Sequence, residues 1–214
     1  MKRIVSIAQL TALATLGGLA GTVAVSAAVN AATDAGRRDL TAQIRDVKGE
    51  VVGTLTVAPM GKQERLSVRV MNVAPGFHGF HIHTTGKCDP NAVDPSTGKV
   101  SPFFTAGTHL NLDSTHTHPS HSGDLPNLLV NQDGRGQGEA ITDRFTAENL
   151  MDADGSAIII HVNPDNHANI PDRYATADGK KGPDAGTLAT GDAGGRAACG
   201  VISQSGKSGK SGKG

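Results

Sequence analysis

The sequence predicts an all-β domain, an antiparallel sandwich or flattened barrel, on three observations. Apolar and polar residues alternate with period two in several short runs, Gly-rich connections separate those runs, and helical periodicity is nearly absent, with no βαβ alternation. The absence of any Trp disfavours an antibody-type domain with its buried Trp.

Taken in chain order, Met1-Lys2-Arg3 precedes an uncharged apolar run from Ile4 to Val29, followed by Ala31 and Ala32. That pattern reads as a secretory signal peptide over residues 1–31, and places the protein outside the cell or in its envelope. The competing reading is a retained membrane anchor, since the run is long. Gly17, Gly18 and Gly21 interrupt it and favour cleavage, and no Cys follows it to carry a lipid. The body, residues 32–204, has a length that suits one domain with one core. It carries 15 Lys and Arg against 20 Asp and Glu, a net −5 hidden by the chain's overall neutrality. No basic patch with interleaved aromatics appears, which argues against nucleic acid.

Within the body, "DLTAQIRDVKGEVVGTLTVAP" and "RLSVRVMNV" alternate, with Leu66, Val68 and Val70 on one face and Ser67 and Arg69 on the other. Lys48-Gly49 and Gly61-Lys62 supply the turns. Two long irregular stretches, Thr84–Gly107 and Asn111–Gly123, flank His109; loops of that length usually carry function. Strand character resumes in "DLPNLLVNQDGRGQGEAITDRFT", with a turn at Asp133-Gly134, and again in "GSAIIIHVN" and "AACGVIS". Asp152 and Asp154 before Gly155 form a turn, because a calcium loop needs later acidic ligands that are missing. Residues 205–214 repeat Ser-Gly-Lys; they cannot bury apolar surface and read as a disordered basic tail, with weak attachment to an anionic cell surface as a secondary role. Two cysteines, Cys88 and Cys199, in an exported chain read as one disulfide, and their spacing fits neither a redox pair nor a zinc ribbon. No long exposed apolar strand stands out, so the sequence leaves oligomeric state open.

All nine histidines fall between residues 78 and 167. In a strand, His81 and His83 share a face while Ile82 takes the other, a geometry able to chelate one metal. His161 ends an apolar run, and "HTHPSHSGD" gathers His116, His118, His121 and Asp124. The segments "GFHGFHIH", "GKCDP", "PFFTAGTHLN", "HSGDLPNL", "IIIHVNPDN", "ANIPDRY" and "TLATGDAGGRAACGVI" together resemble the copper/zinc superoxide dismutases, of the exported bacterial type. The resemblance spans residues 40 to 202.

That resemblance implies an eight-stranded antiparallel Greek-key barrel of immunoglobulin-like architecture with two long functional loops. It implies copper on His81, His83, His109 and His161, and zinc on His109, His118, His121 and Asp124, with His109 bridging. The third zinc histidine is a departure. Position favours His118, nine after His109, yet only Pro119 and Ser120 separate it from His121, fewer than the family's usual connection. His116 competes, and so does an enzyme holding copper alone. Asp165 matches the acidic residue that hydrogen-bonds one histidine of each metal, Arg196 matches the active-site arginine, and Thr190 matches a channel residue. His78 is expected to brace the copper strand without being a ligand, and His167 to be exposed. The implied reaction converts superoxide to dioxygen and hydrogen peroxide by alternating Cu(II)/Cu(I) reduction, with His109 and Arg196 as the catalytic side chains. A copper-binding or copper-delivery protein on the same fold is the alternative, and a wall-associated module using the tail a third.

Overall fold

The computed structural model describes residues 38–205. The expected signal segment, residues 1–31, and all of the expected tail except Ser205 lie outside the described residues, among which no helix is long and apolar enough to cross a membrane.

Alternation becomes strand wherever it was read. β1 (Leu40–Asp46), β2 (Val51–Met60) and β3 (Gln63–Val70) form an antiparallel meander. Gly49 turns between the first two at a φ of 85°, a region open to glycine at no steric cost. After β4 (Gly76–His78) and β5 (Phe80–His83) come a two-residue hairpin, β6 (Val93–Asp94) and β7 (Lys99–Val100), then β8 (Leu128–Val130), β9 (Gly136–Thr142), β10 (Ala157–His161), β11 (Arg196–Val201) and β12 (Ser203–Gln204). The main sheet runs β4-β8-β9-β3-β2-β1-β11-β10-β5, with β12 also on β1.

The two ends of that path, β4 and β5, are separated in the chain by Gly79 alone, so the sheet closes on itself through one bent strand. Joining β4 to β5, and β11 to β12 across Ile202, reduces the ten segments to the eight strands expected. Closure removes the exposed sheet edges.

The barrel interior is filled from alternate positions: Leu40, Ala42 and Ile44 of β1, Leu66, Val68 and Val70 of β3, Ile82 of β5, and Ile158 and Ile160 of β10. β10 is buried on both faces, which is why it reads as an unbroken apolar run. Ile159 points outward into a second cluster with Phe103, Ala106, Ala157 and Cys199, under the first long loop. The Cys88–Cys199 disulfide fastens that loop to β11.

Among the described residues, helix is confined to single turns at Ala147–Leu150 and Thr187–Thr190 and a short 3-10 segment at Phe104–Ala106. The two expected loops are present, the first carrying the β6–β7 hairpin. A third stretch, Val162 to Gly195, also lacks sheet strands. The strand and turn pattern did not mark it as a single long connection, because the Thr187–Thr190 helix and the Ala175–Lys181 bridge punctuate it.

Candidate metal centre

β5 directs Ile82 into the barrel and His81 and His83 out of it, onto the face where β10 presents His161; Ile159 of β10 pairs with His81. His109 joins them because residues 108 and 110 extend the sheet along β5: Thr84 N donates to Thr108 O at 3.0 Å and Leu110 N to Ile82 O at 2.8 Å. The four buried rings lie with centroids 4.0 to 6.4 Å apart. Each offers a donor atom, and these atoms lie within 4.8 Å of one another. Donors on opposite sides of one ion are about 4 Å apart for metal–nitrogen bonds of about 2 Å.

A second group, His109, His118, His121 and Asp124, meets the same criterion and shares His109 with the first. His109 Nδ1 stands 2.8 Å from Asp124 Oδ1, leaving its other ring nitrogen for the first group. His118 and His121 come from the short loop. His116 does not enter either group; it is half exposed and lies 3.7 Å from Asp113.

Hydrogen bonds settle which nitrogen faces inward at His81, His83, His118 and His161. His83 Nδ1 donates to Gly107 O and His161 Nδ1 to Gly194 O, both at 3.0 Å. His81 Nε2 and His118 Nε2 donate to the two oxygens of Asp165, at 2.7 and 2.8 Å. The opposite atoms, His81 Nδ1, His83 Nε2, His161 Nε2 and His118 Nδ1, and also His121 Nδ1, are buried without a hydrogen-bond partner. His118 Nδ1 is 3.1 Å from Asp124 Oδ2, but not aligned for a hydrogen bond. An orphaned buried polar atom costs about 1–3 kcal/mol, and here five such ring nitrogens converge on two points. The two groups could each hold a metal ion, and several of their rings are oriented by hydrogen bonds from behind.

Arg196 opens β11 opposite His161, where the β10–β11 register shifts. Its guanidinium, half-buried, donates to the carbonyls of Phe103 and Gly107 and sits 5.9 Å from the centroid of Phe104. Gly107 O thus accepts from both Arg196 and His83, so one carbonyl links the cation to the first group.

Residues 49–202 match the copper/zinc superoxide dismutase family. The chain belongs to that family. It is 43% identical over 168 residues to superoxide dismutase [Cu-Zn] of Mycobacterium tuberculosis, covering 78% of this chain and 65% of that one, so it spans just under two thirds of that relative's length. The enzyme of the same name from Photobacterium leiognathi is 33% identical over 172 residues, 77% of this chain and 87% of its own. Among solved structures, Cu/Zn superoxide dismutase from Brucella abortus superposes with a TM-score of 0.58 at 28% identity, covering 77% of this chain and 99% of that one. A SOD-like protein from Bacillus subtilis gives 0.54 at 25%, over 75% and 96%.

For a member of the copper/zinc superoxide dismutase family, the donor chemistry fits both metals in the family's name. Four imidazoles suit copper in either oxidation state, and three imidazoles with a carboxylate suit a closed zinc site. Burial holds the pKa of His81 down to about 4 and that of His161 down to about 3, and His83 well below its ordinary value, so these rings are neutral at pH 7. His118 behaves differently. Burial pulls its pKa down, but Asp124 and Asp165 outweigh it and raise it to about 9. Burial opposes ionisation of those two carboxylates, yet the His109 hydrogen bond and the adjacent His118 ring at Asp124, and hydrogen bonds from His118 and His81 to Asp165, hold both far below the usual range.

Other residues shape the site without having stood out in the sequence. Asn127 grips the backbone of Asp165 twice, donating from Nδ2 to its carbonyl and accepting its N–H at Oδ1, each at 2.8 Å. Gly191, at a φ of 61°, packs against the Asp165–His118 hydrogen bond so closely that a Cβ would overlap both partners. Both positions lay inside motif segments, but nothing local distinguishes them. His78 is buried between the carbonyls of His161 and Ala74, at 2.7 and 2.8 Å, so it braces the end of β10 and belongs to neither donor group. The exposed His167 lies against Asp165, its backbone N–H donating at 2.6 Å. Thr190, also exposed, donates its hydroxyl to Gly186 O.

Proposed function

We propose that this protein is a superoxide dismutase, converting superoxide to dioxygen and hydrogen peroxide, with copper held by His81, His83, His109 and His161 and zinc by His109, His118, His121 and Asp124. One observation carries the reading: a single buried imidazole shared by two groups of converging donor atoms, with a carbonyl-pinned guanidinium beside the first. Copper, when bound, supplies the alternation between Cu(II) and Cu(I) that takes an electron from one superoxide and returns it to another.

The side chains supply the rest. Arg196 attracts and orients the anion, and its attachment to Phe103 O and Gly107 O keeps the charge in place without reorganisation. Local charge is required because the body carries net −5 and would repel a diffusing anion. His109 can carry a proton at Nε2, on the side of the first group, while its Nδ1 faces the second group. His81 and His161, neutral at working pH, keep their lone pairs inward.

A copper carrier on the same fold would need the histidines but not Arg196, so the test targets that residue. The metal-loaded protein is expected to remove superoxide rapidly, at a rate that falls with salt. Arg196→Ala should lose about tenfold or more in rate and most of the salt dependence. A loaded protein no faster than free copper would leave the carrier reading and remove this one.

The disulfide fits an oxidising compartment. Together with the apolar lead segment it supports export with processing after about residue 31; mass analysis of the mature N-terminus tests this. The lysines of the tail, Lys207, Lys210 and Lys213, support weak attachment to an anionic surface, which salt should release.

A further inference from the structure

Only Pro119 and Ser120 connect His118 to His121, so the two rings cannot adjust independently; rotating one peptide plane in the connection re-aims a donor atom. Something must hold those planes. The ends of the segment are tied to the barrel and its neighbouring loop: His118 N donates to Leu188 O at 2.9 Å, Leu112 N to Ser122 Oγ at 3.1 Å and Gly123 N to Leu110 O at 2.8 Å. Between those ties the segment's own hydrogen bonds are local, Ser120 N to Thr117 O and His121 N to the Asp124 carboxylate.

The middle is reached by Arg144. This residue follows β9, where its backbone N–H donates to Thr142 Oγ1 at 3.1 Å. Its Nη1 lies 3.2 Å from Pro119 O and 3.3 Å from His121 O, the carbonyls on either side of Ser120. Among the described residues, these are the hydrogen bonds that connect residues 119–121 to a distant part of the chain. Arg144 forms no ion pair among the described residues, so its charged donors are directed at the loop. It also lines two surface clefts, one with Pro119, Asp124 and His167, the other with Asp113, His116 and Ser120.

We propose that Arg144 is a positioning residue for the second metal: its guanidinium, bonded to Pro119 O and His121 O, fixes the short connection so that His118 and His121 aim at one point. This rests on the assignment of His118, His121 and Asp124 to zinc. A guanidinium suits the task because it is planar, always charged and presents several donors in fixed directions, whereas an ammonium is a point charge on a flexible stem. It touches no ligand atom and acts only through the backbone.

The test uses the full chain, copper-loaded, as wild type, Arg144→Ala, Arg144→Lys and His121→Ala. Zinc affinity is read by competition with a chromophoric chelator, and cobalt(II) placed in the zinc site reports ligand geometry through its visible bands. Arg144→Ala should bind zinc about tenfold more weakly, at the lower end of what losing a support behind a ligand costs, with altered cobalt bands and unchanged copper content. Arg144→Lys should fall between it and wild type. An alanine variant with wild-type zinc affinity and an unchanged cobalt spectrum overturns the proposal, and so does equal loss of copper and zinc with a lowered melting temperature, which would mark a merely structural residue. Should wild type bind no zinc, or His121→Ala bind it as wild type does, the zinc assignment fails and takes this inference with it.

Discussion

Asp165 is the residue on which both metal groups lean. Its two carboxylate oxygens accept from His81 Nε2 and His118 Nε2, one ring from each group, and Oδ1 also takes the His167 backbone N–H. Replacing it by alanine leaves two buried imidazole N–H groups without an acceptor, each costing about 1–3 kcal/mol. Supports of this kind are typically worth 10–100-fold in metal affinity, or about 1.4–2.7 kcal/mol. The two metals should not suffer equally. In the group proposed for copper, His83 and His161 keep their own carbonyl anchors on Gly107 and Gly194, so two of four rings stay oriented. In the zinc group, His118 loses its anchor and the aim of the site goes with it. Asp165→Ala should therefore weaken zinc by close to 100-fold and copper by about tenfold. Asp165→Asn should be nearly as damaging for zinc: an amide has one acceptor, so one ring must turn its N–H toward the metal position. Equilibrium dialysis against a chelator series, read by elemental mass spectrometry, measures both. Wild-type zinc affinity in both variants would refute the claim that Asp165 sets ligand orientation.

Zinc binding at pH 7 should release close to one proton from His118. Its pKa is raised to about 9 from 6.5, so the metal-free ring is charged there and must discharge to coordinate, whereas His81 and His161, lowered to about 4 and about 3, have none to give to copper. Calorimetry in buffers of different ionisation enthalpy reads this, and equal proton release by the two metals would contradict it. Gly191→Ala should copy the zinc defect of Asp165→Ala in the same chelator competition, because a Cβ would overlap Asp165 Oδ1 and His118 Nε2; normal zinc binding would show that the loop moves aside freely. Cys88→Ser opens a bridge across 111 positions, worth up to about 4.7 kcal/mol in the chain-entropy view. It should also lower copper content and superoxide removal, since the loop it frees carries the Phe103 and Gly107 carbonyls that hold Arg196. Unchanged metal content and turnover in that variant would break the link.

Much of the barrel was legible in the sequence because its cause is local. A two-residue period makes one face of each strand apolar, and that decides which way Leu66, Val68 and Ile82 point before any neighbour arrives. The same rule placed His81 and His83 together, and the only two cysteines left one intramolecular disulfide to make. The donor sets themselves came from motif resemblance, and the choice between His116 and His118 stayed open there, because both lie in a loop without periodicity. Folding separated them: His118 is held by Leu188 O and Asp165, while His116 remains at the surface beside Asp113.

What tertiary structure alone decided is the direction of each lone pair. A histidine in a sequence has two equivalent options. The choice at His83 is made by a carbonyl 24 positions away, at His161 by one 33 away, and at His81 by a carboxylate 84 away. No nearest-neighbour pattern encodes such partners, since they depend on where the three long loops come to rest on the barrel. The third of those loops, from Val162 to Gly195, supplies Asp165, Gly191 and Gly194. Residue types along the chain thus determined that metal could be bound, and only the closed barrel with its loops in place determined which nitrogen would bind it.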